Sequence, residues 1–224
     1  MSTVKLNYKE YGDGEECLII LHGLLGMLDN WHTLSTRYAE KFKVFTLDQR
    51  DHGRSPHTAE LSYPLMVEDL LLFIENKNLK KVNLMGHSMG GKTAMFFAGK
   101  YPELIKKLIV VDMFPFRGSG DHVDIFEALQ VMDIDSVNSR KEADEALSVY
   151  INNYAIRQFL LKNIDRLPEG GYTWKMNLKT IVESYENIKA AVPSEIVNLP
   201  TLFIKGAKSP YIKLNDFDKF QLLF

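Results

Sequence analysis

Val82-Asn83-Leu84-Met85-Gly86-His87-Ser88-Met89-Gly90-Gly91-Lys92-Thr93-Ala94 sets a serine between two glycines where an apolar run gives way to a helical one. Val82–Met85 has the length and character of a buried strand, and Gly90 to Tyr101, rich in Ala and Gly, reads as a helix. A turn that passes from strand to helix within two residues crowds the backbone against itself. Gly86 and Gly90 supply the room, and Ala94 and Ala98 let the helix sit close on a sheet. The serine between them is lifted above the strand ends, with a helix N-terminus aimed at it.

Working outward, β-rich runs alternate with amphipathic helical ones, the pattern of a largely parallel sheet covered by helices. Val4–Tyr8 alternates apolar and polar like a half-exposed strand, and Cys17–Leu21 is continuously apolar, as suits a strand buried on both faces. Trp31, Leu34, Tyr38 and Phe42 recur at helical spacing from Asn30 to Phe42, and Lys43–Leu47 is the next strand. Tyr63-Pro64 opens a helix to about Asn76, with the proline where a first turn tolerates it. Leu108–Val111 is a further strand. From Phe116 to about Val192 the strand signal stops, and helical patterns cover Val123–Val131, Glu142–Tyr154 and Leu178–Lys189. Thr201–Ile204 resumes the sheet. The expected division is a core of residues 1–115 and 196–224 with a helical cap, 116–195, inserted into it.

Composition narrows the function classes. The 224 residues are 46% hydrophobic and 25% charged, enough for one core with an insertion. A net charge of −2 offers no basic surplus for nucleic acid or an anionic membrane. The single cysteine, Cys17, excludes an intrachain disulfide and reads as a small core residue. The residues from Met1 to Gly14 lack a signal-type apolar stretch, and Cys17–Leu28, broken by His22 and Gly23, is too short to span a bilayer. The expectation is a cytoplasmic protein whose partner is a small molecule. No cofactor or metal is called for: H-x-x-H and C-x-x-C spacings are absent, and no glycine-rich nucleotide loop follows a strand.

The strand–turn–helix around Gly86-His87-Ser88-Met89-Gly90 is the context of a nucleophile elbow in the α/β-hydrolase fold, with Ser88 the nucleophile. His22-Gly23-Leu24-Leu25-Gly26 directly follows the buried strand and can turn a backbone N–H toward a developing oxyanion. Leu24 is assigned as that donor, with Leu25 as the alternative, paired with the N–H of Met89. Losing one such donor costs roughly 3 kcal/mol in comparable sites. In this fold the acid follows the serine in sequence. The stretch after Thr201–Ile204 carries no carboxylate, whereas Leu108–Val111 ends directly in Asp112, which is therefore assigned as the acid. His22 is assigned a structural hydrogen-bonding role, and the His87 side chain is expected to point away from the site. Candidate walls for an acyl group are Leu25, Phe114, Phe116, Phe126, Phe159, Leu160, Tyr172, Trp174 and Tyr211. Arg117 and Lys92, the nearest basic residues, are expected on the surface.

Taken together, His22–Gly26, Leu28–Trp31, Asp51-His52-Gly53-Arg54-Ser55-Pro56, Tyr63–Met66, Gly86–Lys92, Val111-Asp112, Gln158–Lys162 and Ser209-Pro210-Tyr211 resemble the YbfF-type bacterial esterases over nearly the whole chain. The resemblance implies a mostly parallel, twisted sheet with helices on both faces, a helical cap, and hydrolysis of short-chain carboxylic esters or acyl thioesters. It also implies an acid after the sixth strand, in agreement with Asp112. The family pattern continues with an eighth strand and a loop bearing the catalytic histidine. The histidines here are His22, His32, His52, His57, His87 and His122, none of them after Thr201–Ile204. The expectations are thus a sheet lacking its last strand and either a piece of a longer esterase or a pseudohydrolase that binds without turnover, with His122 as the substitute base to consider. Ser88 weighs against dehalogenases and epoxide hydrolases, which use Asp at this turn; lactonases, perhydrolases and C–C bond hydrolases share the serine.

Overall fold

The computed structural model describes residues 2–116, 122–168, 170–193 and 197–209. Its frame is a six-stranded sheet: β1 (Tyr8–Tyr11), β2 (Glu16–Leu21), β3 (Phe42–Leu47), β4 (Val82–His87), β5 (Ile105–Val111) and β8 (Thr201–Ile204), in the order β1-β3-β2-β4-β5-β8. Only β1 runs antiparallel, pairing Tyr8 with Leu47 and Tyr11 with Val44; β3, β2, β4, β5 and β8 are parallel neighbours. The continuous apolar runs lie where sequence predicts, in the middle: every residue of β2 after Glu16 is buried.

Helices cover both faces. On one, α1 (His32–Tyr38) follows a 3-10 turn at Leu28–Trp31, and Trp31 and Tyr38 pack on Leu18, Ile20, Val44 and Met85. On the other, α2 (Tyr63–Asn76) and α3 (Met89–Lys100) bury Leu70, Phe73, Ala94, Phe97 and Ala98 against Ile19, Leu21, Phe45, Leu84 and Leu108. Ala94 and Ala98 are fully buried, as a helix lying close on a sheet requires.

The first expected strand is displaced. The alternation of Val4–Tyr8 is real, for Leu6 is buried and Lys5 exposed, but its backbone meets β3 only at the very end, where Asn7 O accepts from Asp48 N–H (2.9 Å). Val4 N–H donates instead to the Asp69 carboxylate (2.8 Å) and Asn7 N–H to Ser55 Oγ (2.9 Å), and pairing starts only at Tyr8. Between β5 and β8 the segment is not all helical. It contains α4 (Val123–Val131), α5 (Arg140–Ser148), α6 (Tyr154–Leu160), a hairpin of β6 (Ile164–Arg166) and β7 (Tyr172–Trp174), then α7 (Leu178–Glu183) and α8 (Tyr185–Ile188). The helix expected over Glu142–Tyr154 stops at Ser148, and a second begins only at Tyr154. Ser139 accepts from Glu142 N–H and starts α5 early, and Asn153 accepts from Ala155 and Ile156 N–H to start α6 afresh. Likewise Asn177 caps α7, and the chain breaks at Ser184 before α8. These elements bury Phe126, Leu129, Leu147, Leu160 and Ile181 in a second core that reaches Leu25, Tyr63, Met66 and Met89 at the ends of the sheet strands. Among the described residues no helix is long and apolar enough to cross a membrane.

Candidate active site

Ser88 is the hinge between β4 and α3. Its backbone is held at φ 51°, ψ −117°, a conformation few non-glycine residues adopt, and its N–H donates to Val111 O (3.0 Å) on the neighbouring strand. The flanking glycines are obligatory. A Cβ on Gly86 would meet Gly90 O at 2.1 Å, and one on Gly90 would meet Leu21 O and His22 O, each at 2.5 Å. Strain of this kind persists only where the surroundings enforce it, and it clusters at functional sites.

Two cavities meet at this serine. The narrower, about 40 Å³, is walled by Leu24, Tyr63, Met89, Met113, Phe114 and Ile188, with Lys92, His122 and Tyr185 beside them. The larger, about 460 Å³, is lined by Gly23, Leu24, Trp31, Leu34, His87, Asp112, His122 and Phe159. Ser88, Leu24 and His122 belong to both. Asp112, at φ 51° directly after β5, donates its N–H to Ile204 O (2.7 Å), and its Oδ1 accepts from Gly206 N–H (3.0 Å). Ser88 and Asp112 thus stand at the C-terminal ends of adjacent parallel strands and share a cavity wall.

The loop after β2 closes over them. Gly26 N–H donates to Gly23 O (2.9 Å), making a tight turn with Leu25 at φ 57° in its third position. A Cβ on Gly23 would come within 3.2 Å of Ser88 Cβ, so loop and serine touch. His22 anchors the turn. Its Nδ1 lies 2.8 Å from Gly23 O and its Nε2 accepts from Gln49 N–H (3.0 Å), which makes Nδ1 the protonated nitrogen, while Gln49 Nε2 donates to His22 O (2.8 Å). Burial, with repulsion from His87 adding to it, lowers the His22 pKa to about 4 against the hydrogen bond to Gly23. His52, its ring centroid 5.1 Å from that of His22 and tilted to it, is pushed down to about 3 by the same burial. Both imidazoles are neutral structural groups and neither is available as a base.

Of the residues singled out from sequence, Ser88, Asp112, Leu24, Met89 and Phe159 come together at the cavities. Leu25 and Trp174 do not line them: Leu25 is buried in the second core, and Trp174 packs against that core from β7. Phe116 lies with its ring 6.1 Å from that of Phe114, and it is Phe114 that reaches the narrow cavity. Arg117 and Tyr211 fall outside the described residues. Two expectations are corrected. His87 does not point away: its half-buried ring lies on the larger cavity's wall, where burial lowers its pKa and the Asp112 charge works against that. Lys92 is not on the surface but 1% exposed, its ammonium bound to the carbonyls of Lys189 (3.2 Å) and Ala190 (2.5 Å) after α8. His122 precedes α4 without capping it through its side chain, and its Nδ1 lies 2.6 Å from the Tyr185 hydroxyl. Of the remaining cavity residues, Met113 directly follows Asp112, whereas Tyr63, Tyr185 and Ile188 come to Ser88 only through tertiary packing, with the Tyr63 hydroxyl donating to Ile188 O (2.8 Å). His32 and His57 are exposed, bonded to Tyr11 and Lys175 O.

A parallel sheet with this serine turn, and an acid at the neighbouring strand end, defines a hydrolase of the α/β class, and the chain belongs to the α/β-hydrolase fold family, matched over residues 16–222. Within that class it is a carboxylesterase-type hydrolase, similar to proteins named esterases and lipases. A solved marine-microorganism esterase superposes with a TM-score of 0.96 at 42% identity, covering 99% of this chain and 88% of its own. The esterase YbfF of Escherichia coli is 30% identical over 87% of this chain and 75% of its own length. The sn-1-specific diacylglycerol lipase ABHD11 of Danio rerio is 35% identical over 100% of this chain and 74% of its own length.

Proposed function

We propose that this chain cleaves short-chain carboxylic esters, acyl thioesters included, through an acyl-enzyme on Ser88. Ser88 Oγ attacks the carbonyl carbon and loses its proton to a histidine. The oxyanion accepts hydrogen bonds from the N–H groups of Leu24 and Met89, the latter in the first turn of α3, where backbone donors are not used by the helix. Collapse breaks the bond to the alcohol or thiol, which leaves with the proton the histidine had taken. Water then adds to the acyl-enzyme, giving a proton to the histidine, and a second collapse releases the acid and returns that proton to Ser88 Oγ. Asp112 orients and charge-stabilises the histidine. His122, which borders both cavities, is the first histidine to test as base. Residues 1–115 and 196–224 form the catalytic core under this reading, and 116–195 the cap that walls the cavities.

The observation that carries the proposal is the strained turn of Ser88 opening onto two unequal cavities, with Asp112 on the wall of the larger. A hydroxyl aimed at a closed core would have no use for that strain. The inequality also supports the substrate class: the narrow, largely apolar cavity fits an acyl group of a few carbons, and the larger one takes the leaving group. Covalent labelling by a fluorophosphonate tests the mechanism, since only an activated serine reacts quickly. Labelling confined to Ser88 and competed by butyrate esters is expected. Absence of labelling would favour the second reading, an ester-binding pseudohydrolase, in which the His122 ring is occupied by its contact with the Tyr185 hydroxyl (2.6 Å). In a p-nitrophenyl ester series, kcat/KM is expected to fall at least tenfold between the butyrate and decanoate esters; a rising trend would contradict the assignment of the narrow cavity to the acyl group.

A further inference from the structure

The turn that presents Leu24 is gripped from two sides. From the core, His22 and Gln49 fix its entry through the bonds already described, and the Thr93 hydroxyl in turn holds Gln49 Oε1 (2.8 Å). From the inserted segment, Asn163 reaches across 138 residues of sequence, and its Nδ2 donates to Leu25 O (2.8 Å). Asn163 closes the 3-10 turn Leu161–Asn163 after α6, is fully buried, and has its own carbonyl held by Lys175 N–H (2.7 Å) of the β6–β7 hairpin. Its second amide contact, to Leu160 O (3.2 Å), fixes the amide orientation, because both neighbours of Nδ2 are acceptors.

Two features mark this contact as more than packing. Leu25 sits at φ 57° with a full side chain, in a turn position that glycine fills without strain. Something must hold it there, and the bond on its carbonyl acts on the residue that is strained. In addition, Asn163 Oδ1 is buried without a partner among the described residues, a standing cost that an apolar residue of the same outline would avoid. The amide is therefore present for its donor, and the donor goes to the turn.

We propose that Asn163 is a positioning residue of the esterase site: by holding Leu25 O it sets the Gly23–Gly26 turn and so the aim of the Leu24 N–H at the oxyanion. This rests on the reading of Leu24 as an oxyanion donor. It makes the inserted segment part of the catalytic apparatus as well as a wall of the cavities. Under this proposal the stretch Gln158–Lys162, which leads into Asn163, serves to place that amide.

The test compares the full chain with Asn163→Leu, which keeps the outline and removes the donor. Asn163→Ala gives the same readouts if the leucine variant does not fold. Two measurements are made: backbone amide exchange across Gly23–Leu28 against α3, and kcat and KM for p-nitrophenyl butyrate. The expected result is exchange at least ~10-fold faster in the loop with α3 unchanged, and kcat about 10- to 100-fold lower at constant KM, short of the full loss of a donor. Unchanged loop exchange overturns the proposal. So does faster loop exchange with unaltered kcat, or a loss of protection shared by α3, which would mark a general structural role. If the unaltered chain shows no Ser88-dependent turnover, it is the ester-hydrolysis reading that fails, and loop exchange alone then decides whether Asn163 holds the turn.

Discussion

Single residues here answer to backbone room and to burial. Gly90 has Leu21 O and His22 O within 2.5 Å of where a Cβ would stand, backbone atoms that cannot rotate aside. Gly90→Ala is expected to cost about 3 kcal/mol or more, at the upper end for overpacking, and a thermal melt within a degree of the unaltered chain would refute this. The buried imidazoles set the acid limit. His22 and His52 have pKa values of about 4 and 3 in the fold against 6.5 when exposed, so as pH falls below about 6 the unfolded chain takes up protons that the folded one refuses. Stability is fully present above pH 6.5 and falls on the order of 1.4 kcal/mol per histidine per pH unit until each folded value is reached. Urea midpoints between pH 7 and 4.5 measure the slope, and a flat profile would contradict it. The conditions for Ser88 were legible in Gly86-His87-Ser88-Met89-Gly90, because the motif is a local backbone requirement. The burial of Lys92 was not, since a lysine looks like surface until its ammonium is seen bonded to the carbonyls after α8.

At the scale of elements, sequence reading worked where a pattern is complete within the element. Tyr63–Asn76, Val123–Val131 and Thr201–Ile204 fall where the periodicity puts them. It failed where a cap or a distant partner decides. Ser139 starts α5 early and Asn153 starts α6 where the expected helix ends, and Val4–Leu6 alternates while Val4 N–H bonds to Asp69 on α2. The same partner, Asp69 on α2, joins elements far apart in sequence. Its carboxylate takes Val4 N–H and both Nε (2.6 Å) and Nη2 (2.8 Å) of Arg50, with both side chains almost wholly buried. Asp69→Ala is therefore expected to destabilise the chain by about 3–5 kcal/mol by stranding a buried cation, and the double variant Arg50→Met/Asp69→Leu to recover most of it. Equal losses in the single and double variants, read from denaturant midpoints, would show that the stranded cation is not the source of the loss.

Across the whole molecule, the inserted segment is fastened to the core by polar bonds around the site. Asn177 Nδ2 donates to the Asp51 carboxylate (2.9 Å), the Tyr63 hydroxyl to Ile188 O (2.8 Å), Lys92 to the chain after α8, and Asn163 to Leu25 O. Under the proposed reading this is a fixed roof whose walls set what reaches Ser88. The central claim is that Ser88 is the nucleophile of an ester hydrolase, and the most direct measurement is p-nitrophenyl butyrate hydrolysis by the 224-residue chain beside Ser88→Ala. Hydrolysis by the unaltered chain, reduced at least ~10³-fold in Ser88→Ala, is the predicted result. Equal rates in the two, whether high or at the uncatalysed level, would contradict it.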